Sequence, residues 1–353
     1  MTLRDAVRTA TNSVSRTARE LAQTASNPSR SAQERSQAFR TLSEQEIGQT
    51  WLRRARGLAR DFDCPGVYLK FEGDNPTGTQ KDRIAFAQVA DALGQGDDTI
   101  ALATCGNYGV AVALAAKLAG LTCRVYIPAD YHTKRLAEME RLGAVILRPE
   151  GSYEEVVRYS SAEAQNHGWY DANPGEGNAS LQLSAYSTIA DELLSELPRV
   201  PDTVAVPVSN GTLMAGIYHG FRRLRNAGRI DRLPRMVAAS SMHQNPIVAS
   251  FLSGQRQCMD LDPAQIHETL INEPLINWHS FDGQEALDAL YATNGGARNV
   301  TDHKLRRTAT YLREKEALQV LPASTAGLIA LIEGEAQSTD PDALHIAVLT
   351  AKR

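Results

Sequence analysis

A chain of 353 residues can bury a large core, and one or two domains is the natural expectation. With 42% hydrophobic residues, 22% charged residues and a formal charge of −4, it reads as an ordinary globular protein without the basic surface that attracts nucleic acid. No apolar run approaches the ~20 residues of a membrane span, and no membrane partner is expected. Cys64, Cys105, Cys123 and Cys258 form no CxxC pair, and the histidines show no HExxH spacing. A disulfide framework and a metal site are therefore not expected, and a reducing cytoplasm is.

In chain order, residues 1–46 are polar and helix-forming, with Arg4, Arg8, Arg16, Arg19, Arg30, Arg35 and Arg40 facing few acids. A transit peptide has this composition. So does a helical arm packed on the body or across a dimer, which is the reading adopted. Asn27-Pro28-Ser29 divides the arm into two helices. At Ile47 the sequence changes character. Residues 67–71 are β-prone, and residues 84–93 follow a helical pattern. Strands over 99–103, 124–127 and 144–147 then alternate with helices over 109–118, 133–142 and 153–166, and further strands follow at 204–208, 236–239 and 345–349. Short apolar strands separated by helices of ~10–15 residues predict right-handed βαβ units on parallel sheets. The class is α/β, and two sheets fit the chain better than one.

Three junctions carry chemistry. Asn75-Pro76-Thr77-Gly78-Thr79-Gln80-Lys81-Asp82-Arg83 is turn sequence running into a helix, so Lys81 falls in a first helical turn. The positive end of a helix disfavours a second cation and favours a neutral amine, the form a Schiff base requires; a solvated lysine in a charged loop is the plainer alternative. Thr104-Cys105-Gly106-Asn107-Tyr108 leaves a strand and opens a helix, where backbone N–H groups suit a carboxylate. Ser209-Asn210-Gly211-Thr212-Leu213 repeats that arrangement with two hydroxyls, as a dianionic phosphate wants. Either stretch could equally be a Gly-containing turn. Asp82 and Arg83 are read as structural, and His132 as a surface residue.

Taken together, these segments resemble fold-type-II pyridoxal phosphate (PLP) enzymes, threonine synthase most closely. Asn75 to Arg83 looks like the cofactor-lysine segment, and Thr104 to Tyr108 like the Ser-x-Gly-Asn loop. Ser209 to Leu213 looks like the phosphate loop, and Leu321-Pro322-Ala323-Ser324-Thr325-Ala326 like the late Glu-Pro-Ala-Ser-Ala-Ala segment. Gly48 to Leu52, Asn245 to Val248 and Asn272 to Trp278 match in the same order. The likeness covers about residues 47–350. It implies that Lys81 carries the cofactor and is the catalytic base. Asn107 would meet the ring's phenolic oxygen, residues 209–213 the phosphate, and Thr350 the pyridine nitrogen. Thr104, Cys105, Gly106 and Tyr108 would bind substrate.

Departures from the pattern matter as much. Tyr108 stands where a smaller residue is usual and could be an acid–base group or a wall. Trp51 replaces Pro, Leu321 replaces Glu, and Ala185-Tyr186-Ser187-Thr188 lacks the lysine of a Gly-Gln-Lys-Thr helix. After Ala351-Lys352-Arg353 the Gly-x-Gly-Leu-Lys-Asp continuation is missing, and no appended regulatory domain is expected.

The resemblance implies a two-domain, tryptophan synthase β-like fold. Its parts would be a helical arm (1–46), a large PLP-binding domain (47–85 and 188–353) and a small α/β domain (86–187). The implied enzyme is a homodimeric lyase acting at the β- or γ-carbon of an amino acid, O-phosphohomoserine or a relative. A β-replacing synthase, a serine/threonine dehydratase and a non-catalytic binding protein are the alternatives.

Overall fold

A computed structural model describes residues 16–104, 106–335 and 342–353. Cys105 and the first 15 residues of the arm lie outside the described residues. The strands in chain order are β1 (Leu52–Arg54), β2 (Val67–Phe71), β3 (Thr99–Ala103), β4 (Thr122–Tyr126), β5 (Val145–Leu147), β6 (Tyr170–Asp171), β7 (Thr203–Pro207), β8 (Arg235–Ser241), β9 (Gly296–Val300) and β10 (His345–Leu349). Packing divides the chain into two compact units, residues 1–48 with 75–182, and residues 49–74 with 183–353. The sequence reading draws these lines at 46, 85 and 187. In the structure the arm and the Lys81 segment both belong to the first unit, because the helices over those segments pack on one another.

That packing has a simple cause. Ser31 opens the helix Ala32–Glu46 with a reciprocal capping box to Glu34. The helix then stacks Phe39 on Phe86, ring centroids 5.4 Å apart, and its Ser36 hydroxyl donates to the Ala90 carbonyl at 2.6 Å. Arg35 reaches the carbonyls of Ala25 and Ala119. The first unit's sheet runs β5-β4-β3-β6, all parallel. All five residues of β3 are buried, as expected for a parallel strand covered on both faces.

The second unit holds a six-stranded sheet, β1-β2-β10-β7-β8-β9, parallel except for β1. The last strand of the chain, β10, lies between β2 and β7, and β7 and β10 are wholly buried. The α/β architecture with mostly parallel sheets is therefore as the periodicity predicts. Its core gathers Leu69, Ala205, Val237, Leu305, Leu328 and Leu349. Beside it, Lys70 is fully buried and paired with Glu192 at 2.8 Å and Glu196 at 3.1 Å. Among the described residues no helix is long and apolar enough to cross a membrane.

Candidate active site

In the first unit the stretch Asn75–Gly78 is a true turn, closed by Gly78 N–H donating to the Asn75 carbonyl at 2.8 Å. Asn75 Oδ1 in turn accepts from Gly48 N–H. Asp82, fully buried, folds back and accepts from the backbone N–H of Thr77 at 2.8 Å and from its hydroxyl at 2.6 Å. This is structural work, and a carboxylate in the first helical turn is favoured there. Lys81, the residue between turn and carboxylate, becomes the first residue of the helix Lys81–Gln95. Its Nζ lies 5.7 Å above the centre of the Tyr108 ring.

The second loop leaves the carboxyl end of β3, where ligands of parallel sheets bind. Asn173 Oδ1 holds the Ala103 N–H at 2.7 Å, fixing where the strand ends. Thr104 is buried, and its hydroxyl oxygen accepts from Gly106 N–H at 3.2 Å. Asn107 is the first residue of the helix Asn107–Ala119, and its Oδ1 accepts from Arg135 Nη1 at 2.7 Å. Tyr108 is buried, and its hydroxyl donates to the Ala172 carbonyl at 2.8 Å while accepting from Gln88. The phenol is thereby turned into the protein, and its ring face meets Lys81. His132, by contrast, is exposed. The sequence-predicted residues Lys81, Thr104, Gly106, Asn107 and Tyr108 thus share one corner of the unit.

Sequence reasoning missed Arg135. The expected helix over 133–142 begins only at Leu136, because Thr133 Oγ1 accepts from Arg135 N–H and holds the preceding residues in a turn. Arg135 is left just ahead of the helix, with its guanidinium bound both to Glu138 on that helix and to Asn107.

In the second unit, β7 ends in the loop Val208–Gly211 and the helix Thr212–Asn226 follows. Gly211 has φ +92°, and a Cβ there would lie 2.9 Å from the Asp282 carbonyl oxygen, from Ala286 Cβ and from Ile247 Cδ1. The loop's carbonyls are turned outward and held: Ser209 O accepts from Asn245 Nδ2 at 3.0 Å and Ser280 Oγ at 3.1 Å, and Asn210 O accepts from Asp282 N–H at 3.1 Å. Asn277 Nδ2 donates to Asn210 Oδ1 at 3.0 Å. With the carbonyls tied back, the opening amides of the helix, through Leu213, have no intrahelical acceptor, the arrangement that suits an anion at a helix N-terminus. The Thr212 hydroxyl, expected to face an anion, instead donates to the Asp282 carboxylate. At the end of β10, Thr350 Oγ1 lies 3.0 Å from Ser324 Oγ, which also accepts from Ala351 N–H at 2.9 Å. Two segments that the sequence could only place in order, 321–326 and 348–350, are hydrogen-bonded together.

Comparison with known proteins identifies the family. The description "Pyridoxal-phosphate dependent enzyme" matches residues 43–350, and the chain belongs to that family. It is 31% identical to the threonine synthase of Methanocaldococcus jannaschii over 294 residues, covering 81% of this chain and 70% of that protein. To the threonine synthase of Mycobacterium bovis it is 28% identical, covering 81% and 76%. Among solved structures, a PLP-dependent aspartate racemase superposes with a TM-score of 0.72 at 19% identity, covering 90% of this chain and 94% of that one. Maize serine racemase gives 0.70 at 19% identity, covering 90% and 93%. These two likenesses establish the shared fold-type-II architecture. The protein is a PLP-dependent enzyme with an amino-acid substrate. One observation makes the residues present a fit for that cofactor: the Asn107 amide has its oxygen engaged by Arg135, which leaves its nitrogen as a donor.

Proposed function

We propose that this enzyme is a lyase of threonine synthase type, performing elimination and replacement at the β- or γ-carbon of an amino acid such as O-phosphohomoserine. The observation that carries it is the Ser324–Thr350 pair, which offers a hydroxyl, not a carboxylate, at the end of β10. The bound cofactor supplies an electron sink for a carbanion at the substrate's α-carbon. Facing only a hydroxyl, that sink is weaker, and the chemistry is biased to elimination and replacement over transamination.

In this reading Lys81 holds the cofactor, then takes the proton from the α-carbon and can return one at the β-carbon. Asn107 donates to the ring oxygen, and the amides of residues 209–213 bind the phosphate. Thr104 and Gly106 hold the substrate carboxylate, the role Cys105 would share. The same reading has the enzyme working as a homodimer in a reducing cytoplasm. Buried, unpaired thiols suit such a compartment, and burial pushes the Cys123 thiol up to about 12.

The test is to incubate the purified enzyme with O-phospho-L-homoserine and measure phosphate and threonine together. Release of both supports the proposal. No release, with turnover of serine, threonine or an O-acylated serine, would move the enzyme to the second reading, a β-replacing synthase or dehydratase. Tyr108 is what favours that second reading, because its ring fills space beside Lys81 where a smaller residue would leave room for a large leaving group.

Tyr108 itself acts as a wall. Since its hydroxyl donates to the Ala172 carbonyl, Tyr108→Phe is expected to keep kcat within about threefold and to lower stability by about 1 kcal/mol. An acid–base phenol would instead lose about 10²-fold or more. Steady-state rates and a thermal melt on the same variant separate the two roles.

A further inference from the structure

Arg135 belongs to none of the recognised segments, yet it touches two of them. Its Nη1 donates to Asn107 Oδ1 at 2.7 Å, and its Nη2 to the Thr77 carbonyl at 3.2 Å. The same guanidinium is fixed from its other side, with Nε and Nη2 donating to Glu138 Oε2 at 2.9 and 2.8 Å. Thr77 lies in the turn that delivers Lys81, and Asp82 grips that residue from within. One planar, rigid group therefore ties the lysine loop to the Asn107 loop inside the first unit, at distances a planar fork can satisfy at once.

The donor inventory decides what this does to Asn107. Arginine has five N–H donors and no acceptor, so the amide atom facing it must be the oxygen. The Asn107 Nδ2 is then the end left to face a ligand, and it can only donate. A side-chain amide without such a partner could flip and present its oxygen to the ring oxygen, an unfavourable meeting of two acceptors. We propose that Arg135 is a positioning residue that locks Asn107 as a hydrogen-bond donor toward the cofactor's phenolic oxygen. Glu138 holds the guanidinium in place. The inference rests on the assignment of Asn107 to that oxygen.

The test is a titration of apoenzyme with PLP, following both the dissociation constant and the visible absorption maximum. It uses the wild type, Asn107→Ala, Arg135→Gln, Arg135→Lys, Glu138→Gln and the double variant Asn107→Ala/Arg135→Gln. Arg135→Gln is expected to raise the dissociation constant about tenfold and to move the absorption maximum in the same direction as Asn107→Ala. The double variant should be no worse than Asn107→Ala alone, because the two residues act through one contact. Arg135→Lys keeps the charge but cannot reach Thr77 O and Asn107 together, so it should resemble Arg135→Gln. Glu138→Gln gives a smaller shift in the same direction and serves if Arg135→Gln does not fold. A merely structural Arg135 would lower the apoenzyme's melting temperature and leave the absorption maximum alone, which would overturn the inference. So would full rescue by lysine, which would make charge the active property. If Asn107→Ala leaves both readouts unchanged while the wild type binds PLP normally, the Asn107 assignment fails and this inference fails with it.

Discussion

Lys81→Ala is expected to abolish the visible absorption band of the bound cofactor and to lower turnover by about 10³-fold or more if, as proposed, Lys81 is both the covalent attachment point and the α-carbon base. Two other lysines are already engaged. Lys70 is buried in the second unit, where its Nζ is held by Glu192, Glu196 and the Thr50 carbonyl. Lys304 is paired with Glu333 at 2.7 Å. Lys81 combines the first position of a helix with an aromatic face near its Nζ. Borohydride reduction of the wild-type holoenzyme followed by peptide mapping gives a readout independent of turnover. The added mass should fall on the peptide containing Lys81. Its appearance on another lysine would withdraw the assignment.

What the sequence made legible, and what it did not, follows from how far apart the interacting residues lie. Val67–Phe71 and His345–Leu349 are legible to the residue because both are short, mostly apolar and β-prone runs, with Lys70 and His345 as their buried polar members. The strand Gly296–Val300 has no such signal: it is a half-buried edge built from Gly-Ala-Arg-Asn-Val, and only its pairing with β8 defines it. The lysine and the two Gly-containing loops could be found because each is a local junction of turn, strand and helix. Arg135 could not, since it sits in a run of charges and the residue it bonds is 28 positions away. Likewise, the scaffold that ties back the phosphate-type loop comes from Asn245, Asn277, Ser280 and Asp282, 36 to 71 residues downstream. Two of those asparagines lie in segments matched to threonine synthase, but a match in order does not reveal that they grip the same loop. The Thr212 hydroxyl shows the converse error. Residue type suggested an anion ligand, and a carboxylate 70 positions away claims its proton.

Gly211→Ala should be the second most damaging substitution, and its pattern of damage tests the phosphate loop more sharply than its size. The backbone there, at φ +92° and ψ −19°, costs an L-residue about 1–2 kcal/mol. The added Cβ would also lie 2.9 Å from the Asp282 carbonyl oxygen, so the loop or the 282 segment must move. Part of this cost falls on the apoenzyme and lowers its melting temperature. If the amides of residues 209–213 hold the cofactor's phosphate, the displaced loop must also weaken PLP binding, by about 30-fold for about 2 kcal/mol. Pyridoxal, which lacks the phosphate, should be affected much less. The decisive quantity is therefore the ratio of the two dissociation constants. Wild type is expected to prefer PLP strongly, and Gly211→Ala should shrink that preference by at least about tenfold. A variant that melts early but keeps the wild-type ratio would show that the glycine serves only the fold, and the phosphate would have to be sought elsewhere in the chain.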